Sequence, residues 1–164
     1  MLSVPLEARS YQGTHAGVVT RVAAAAVDVV AVAASLAGSY AAWAALRFVI
    51  APRDFSMPAV SLLSVAELFL LYLVVYLTVA WWIAGRSIGD HVWGVRVVTD
   101  KGGRLGPARA FVRAVACAVF PVGLLWCAVD RDRRSLQDLL LRTAVVYDWL
   151  ARPTGRWGAS RGVA

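Results

Sequence analysis

Residues 21–50 read RVAAAAVDVVAVAASLAGSYAAWAALRFVI. From Val22 to Ile50 the run is apolar apart from Asp28, a few small polar residues and Arg47, with Arg21 at its mouth. A membrane-spanning helix needs about 20 consecutive apolar residues, and this stretch exceeds that. A carboxylate in hydrocarbon is costly, so Asp28 is expected to face a protein partner or a water-filled cavity. Arg21 precedes Asp28 by almost two helical turns, about 10 Å of rise, which puts both on one helix face at different depths.

Composition extends this reading to the whole chain. The 164 residues are 60% hydrophobic and only 16% charged. A soluble domain of this size cannot hide that much apolar surface, so the chain reads as an integral membrane protein. The net charge of +7 then points to membrane orientation and anionic lipid headgroups, and nucleic acid is not expected as a partner. Cys117 and Cys127 lie in apolar sequence and read as small buried hydrophobes. No CxxC or Cys/His cluster suggests a metal, and no cofactor is expected. The first apolar run is too long for a cleavable leader and carries Asp28, so it is expected to remain as an anchor.

Outward from this helix, residues 1–15 read as a flexible lead, 16–149 as the membrane domain and 150–164 as a flexible Gly/Arg-rich tail. Helix one is expected from about Val18 to about Phe48, with small-xxx-small spacing at Ala34, Gly38 and Ala42 that permits close helix approach. After a turn with Pro52 and Pro58, helix two runs from about Ala59 to Ala84. It ends in Trp81 and Trp82, read as interfacial anchors, and carries one ionisable group, Glu67. Gly85 to Gly106 is charged and glycine-rich, with a β-branched run at Val95–Thr99 leading into a Gly102-Gly103 turn. Pro107 to Val129 is apolar again, interrupted by Arg109, Arg113 and Pro121-Val122-Gly123. Asp130 to Arg134 reads as a solvated, headgroup-facing patch. Ser135 to Arg142 reads as a short helix capped by Ser135, with Asp138 in its first turn, and Thr143–Tyr147 as a second β-branched run.

Whether Phe111 to Val129 crosses the membrane is decided by charge. With three spans, basic residues divide 8 against 9 between the two sides, and no orientation is favoured. With two spans and a re-entrant segment they divide 15 against 2. Pro121 and Gly123 sit where the chain would reverse, and the two β-branched runs could then pair on one side. The expected fold is an all-α membrane protein. It has two long transmembrane helices, a re-entrant or third apolar helical segment, and a small cytoplasmic two-stranded β element. Both termini are expected to be cytoplasmic, in a multi-pass protein of the cell membrane.

Three features in this order resemble the RDD family of membrane proteins, named for one arginine and two aspartates. Arg21-Val22-Ala23-Ala24 leads to Val27-Asp28. Gly85-Arg86-Ser87-Ile88-Gly89 continues to Gly94-Val95-Arg96-Val97-Val98. Ser135-Leu136-Gln137-Asp138, followed by Thr143-Ala144-Val145-Val146, looks like the family's closing aspartate motif. The resemblance covers about Ala16 to Tyr147. This chain departs from the pattern in having Gln137 where a histidine is common and Asp90 where a basic residue is common. Leu141-Arg142-Thr143 stands in place of Ala-Gly-Thr. The resemblance implies a membrane protein for which transport of an unidentified ligand has been proposed. Some relatives are linked to sodium/proton exchange, and others accompany Mce-type lipid importers.

Four residues are the candidate ligand or ion pathway: Arg21, Asp28, Asp138 and Glu67. Arg21 is too far along the helix to clamp Asp28, but its guanidinium can grip a carboxylate in bidentate fashion, and Asp138 is the expected partner. Asp28 is left deeper, as the coupling carboxylate. Glu67 lies farther from the cytoplasmic end than Asp28, so the two would share a path only in a homo-oligomer with a central cavity. The bland alternative for these residues is polar glue that holds the fold. His15 and His91 read as surface or interfacial. Gly102-Gly103 is not followed by phosphate-loop spacing, no Ser/His/Asp arrangement has local support, and no enzyme is expected. Two functions are carried forward. One is a small carrier working as a homo-oligomer. The other is an accessory subunit among other membrane subunits.

Overall fold

The computed structural model describes residues 13–57, 59–100, 102–128 and 135–148. The lead through residue 12, the tail from 149 and the charged cluster at 130–134 lie outside the described residues, as do Lys101 and the Cys127 side chain.

Two long apolar helices dominate: α1, Val18–Ile50, and α2, Leu62–Ile83. Each is long and apolar enough to cross a membrane. Arg47 in the last turn of α1 suits the negative end of its dipole. Ser61 caps α2 by accepting from the Ser64 amide at 3.0 Å. Both helices turn large apolar side chains outward, among them Val30, Leu46, Leu68 and Leu71, and Leu62 is 86% exposed. Water would punish such a surface; hydrocarbon matches it. Ala34, Gly38 and Ala42 are exposed too, so the small-residue face is not used for packing within the chain.

The remaining elements gather around one end of this pair. They are α3, Ile88–Val92; β1, Val95–Thr99; α4, Pro107–Val119; a 3-10 stretch, Pro121–Ala128; α5, Leu136–Leu141; and β2, Thr143–Tyr147. The two strands pair antiparallel, with Val97 opposite Val145. Residues just before α1 join them: the Gly13 amide donates to the Tyr147 carbonyl and the Ala16 amide to the Val145 carbonyl, each at 2.9 Å. Inward-facing Val95, Val97 and Val145 meet Leu105, Ala110 and Ala114 beneath the end of α2, where Leu73, Leu77 and Trp81 complete the core.

Strand pairing resolves the third apolar segment. β1 precedes α4 and β2 follows α5, so the chain between them leaves and returns on one side. The 13 residues of α4 rise only about 20 Å, short of the roughly 30 Å hydrocarbon core. Helix geometry ends at Val119, and Pro121 opens the 3-10 stretch. Among the described residues this segment holds no helix long enough for a third span.

Two local details differ from the sequence reading, and a third, the end of α5, adds to it. Gly85–Gly106 holds a short helix, α3, that has too few residues to show a period; it is fixed by a capping box between Ser87 and Asp90. Trp81, expected as an interfacial anchor, is buried, while Trp82 beside it is half exposed. α5 carries the same capping box, from Ser135 and Asp138, and ends at Arg142 in the left-handed region, φ 52°. Glycine is the usual residue at such a helix end, because a Cβ crowds the carbonyl there. Arg142→Gly is therefore expected to raise stability by about 0.5–1 kcal/mol, read as a higher thermal midpoint in detergent; an unchanged or lower midpoint contradicts this account of the turn.

Candidate functional site

The site consists of two polar nodes joined by one tryptophan. The first surrounds Asp28. Its Oδ1 accepts from the Tyr76 hydroxyl and from the Gly89 amide, each at 2.8 Å. Its Oδ2 accepts from the Ser87 hydroxyl at 2.5 Å. Each hydroxyl is itself held by an α3 amide: Ile88 N–H donates to Tyr76 at 2.8 Å, and Asp90 N–H to Ser87 at 3.0 Å. The first three amides of α3 thus converge on one carboxylate of α1, one directly and two through hydroxyls. A helix N-terminus leaves such donors without intrahelical partners, and an acid placed there satisfies them.

Gly89 makes this approach possible. A Cβ at Gly89 would lie 2.0 Å from the Ala24 carbonyl oxygen and 3.0 Å from Asp28 Cγ. Gly89→Ala is expected to push α3 off α1 and break the node, at a cost of at least about 2 kcal/mol. A variant that melts within a degree or two of wild type in detergent would show that α3 does not need this contact.

The second node surrounds Asp138, which is fully buried. Arg21 Nη1 pairs with its Oδ2 and Arg113 Nη1 with its Oδ1. Arg113 Nη1 also donates to Thr143 Oγ1 at 2.6 Å, and Arg21 Nε donates to the Ala16 carbonyl at 3.1 Å. The Arg21–Asp138 pair expected from the sequence is present, but it is half of a triad. Arg113, read from the sequence only as an interruption of an apolar run, supplies the other half. Its trace in the sequence is a single guanidinium on the helix face that also carries Ala110 and Ala114, a face the structure buries.

Trp81 links the nodes. Its Nε1 donates to Asp90 Oδ2 at 2.8 Å. The Arg113 guanidinium carbon stands 5.1 Å from the centre of its ring, within cation–π range. Asp90 also accepts from the Ser87 amide at 3.1 Å. Asp90 thus completes the α3 capping box.

Between the nodes lies a cavity of about 270 Å³, which Arg21, Asp28, Asp90 and Arg113 line on its polar side. Leu73, Leu77 and Phe69 of α2 with Cys117 and Ala118 of α4 give it apolar walls. Val29 and Leu70 are both lining and substantially exposed, so the cavity reaches the surface between the two long helices. The structure brings Arg21, Asp28 and Asp138 to this region and leaves Glu67 elsewhere. Glu67 is exposed, and it lies nine residues beyond Tyr76 on α2, about 13 Å along the axis. His91 is exposed, and His15 forms a β-bridge to Val146. Among the described residues, no group of His, Cys, Asp and Glu could hold a metal ion.

Fold and site together define a membrane protein with two candidate spans, whose helix ends are clamped to a small sheet by buried ion pairs. The sequence profile of the RDD family matches residues 15–142, and the chain belongs to that family. It is 32% identical over 72 residues to the uncharacterized protein YckC of Bacillus subtilis (strain 168), a match that covers 38% of this chain and 48% of the relative. The chain therefore spans about half the length of the curated relative it matches. No solved structure matches it.

Burial alone would push the Asp138 carboxyl up, but the guanidiniums of Arg113 and Arg21 outweigh burial and hold it well below the usual carboxylate range. A carboxyl with a depressed folded pKa stabilises the fold fully above its unfolded value of about 3.9 and loses that contribution as pH falls below it. Thermal stability from this group should thus be flat between about pH 8 and pH 5 and fall only in stronger acid. Asp138→Asn removes one partner of a buried cluster and should cost about 3–5 kcal/mol, with the acid-limb slope reduced relative to wild type. A loss near zero, or an unchanged slope, would show that the triad does not hold the fold.

Proposed function

We propose that this chain is a membrane-embedded binding protein that takes a small amphipathic ligand from the bilayer into the cavity between α1 and α2 and serves in its transport. The cavity carries this reading. Its rim at Val29 and Leu70 opens between helices whose outer faces are apolar, so entry is lateral, from hydrocarbon. Its volume of about 270 Å³ sits near the lower end of small-molecule pockets, about 300 Å³. The acids at its polar side are already supplied with donors: Asp28 by three, Asp90 by Trp81 and Ser87. Arg113, which lines the cavity, has a buried Nε without a hydrogen-bond partner. The open valence is a donor, so the matching headgroup offers oxygen acceptors above an apolar body.

Sodium or proton exchange through Asp28 has less support, since an incoming cation would compete with three donors already on that carboxyl. A subunit role in a larger membrane assembly is favoured by a separate observation: Glu67 is exposed on an otherwise apolar face of α2. A carboxyl at that depth calls for a partner, and two spans are too few to enclose a pathway alone. A homo-oligomer or a complex with other membrane subunits, such as an Mce-type lipid importer, would supply both. The basic excess supports a cytoplasmic side of the cell membrane for the sheet and both termini.

Binding of a fluorescent long-chain fatty acid to the purified chain tests the reading. Leu70→Trp, which narrows the rim, should weaken binding about tenfold by occupying space the chain needs, while Leu71→Trp on the outer face leaves it unchanged. Equal affinity in both variants, or no binding by wild type, removes the cavity from the account. Proton or sodium flux in wild-type proteoliposomes that Asp28→Asn abolishes would replace it with ion exchange.

A further inference from the structure

A second basic cluster lies outside this cavity. Arg86 follows α2 directly, Arg96 is on β1, and Arg104 follows the turn after β1. Arg86 Nη2 donates to Asp148 Oδ2 at 2.5 Å, and Arg96 Nε stands 3.3 Å from the same oxygen. Among the described residues, Asp148 is the carboxylate that pairs with either. Arg96 and Arg104 line a shallow hollow with Gly85, Gly102 and Gly103. Two guanidiniums therefore share one carboxylate, and a third, Arg104, lines the hollow beside them. The Nε of Arg86 is buried without a hydrogen-bond partner, and that of Arg96 has its ion pair with Asp148 but no hydrogen bond. Burial, and then the charges of Arg86 and Arg104, pull the Arg96 pKa down against the opposing pull of Asp148. The glycines leave the hollow without side chains that would fill it.

The position says where the missing charge comes from. Arg86 lies just past the end of α2, beside exposed Trp82. Tryptophan at a helix end marks the headgroup layer, where lipid phosphates are dense. A guanidinium fork matches phosphate oxygens and stays charged in partial burial.

We infer that Arg86, Arg96 and Arg104 form a docking site for the phosphate of an anionic lipid headgroup at the end of α2. It is separate from the cavity and stands whether or not the cavity binds a ligand. The full chain in mild detergent, titrated with phosphatidylglycerol or phosphatidylcholine and read by native mass spectrometry, tests it. Wild type should retain the anionic lipid preferentially. Arg104→Gln, which is exposed and outside the Asp148 pairs, should lower that retention about fivefold, the effect of one arginine near a charged surface, and Arg96→Gln should lower it at least as far. Arg109→Gln removes the same charge from the exposed face of α4 and should keep wild-type retention. Equal loss in all three variants means diffuse attraction and overturns the site. So does unchanged retention in Arg104→Gln and Arg96→Gln. If inorganic phosphate at millimolar concentration displaces the lipid and binds alone with the same arginine dependence, the ligand is soluble phosphate, and the lipid assignment is wrong. Circular dichroism melting of each variant separates lost binding from lost folding.

Discussion

One buried carboxylate organises this end of the molecule. Asp138 is shared by guanidiniums from α1 and α4 while its Oδ2 also accepts from the Ser135 amide in the α5 capping box, and Thr143 at the start of β2 closes the group. Burying three charges costs several kcal/mol per ion, and only close, well-directed pairing repays it. That requirement makes the arrangement selective: few relative placements of α1, α4 and α5 bring both forks to one carboxyl. Arg113 passes the constraint to Trp81, Trp81 to Asp90, and the α3 capping box to Asp28. The two aspartates that bear the family's name are thus linked through a ring and a helix end with no direct contact between them.

The spans, the strand pairing and the α5 cap were legible because each leaves a local signal: length and apolarity, β-branched runs, a serine three residues before an acid. The Arg21–Asp138 pair followed from counting charges by side of the membrane. Arg113 was not legible as a partner, since its sequence neighbourhood says only that a cation interrupts an apolar stretch. The burial of Trp81 was hidden for a similar reason. Trp81 and Trp82 are equivalent in sequence, and the packing of α4 and α3 on one side of α2 decides which is covered. The surroundings of Asp28 were illegible because its partners are neutral: two hydroxyls and a backbone amide carry no charge to count.

These surroundings change what Asp28 means. A lone acid in an apolar helix invites a role in ion coupling. An acid that terminates three amides of a neighbouring helix has structural work already, and the space beside it is better suited to a ligand with its own apolar body. Glu67 is exposed on α2, which directs attention to what α1 and α2 meet in the bilayer.

The place of Asp138 in the chain has a consequence for biogenesis. Arg21 and Arg113 are both made before it, and α1 and α2 are ready to insert while these cations still lack their counterion. Until Asp138 emerges, the growing protein carries both guanidiniums without the carboxylate they share. Arrival of α5 and β2 then supplies that carboxylate and adds the second strand in one step. Closure of this end of the fold thus waits on Asp138, and a chain stopped short of it would hold two arginines without the carboxylate they share.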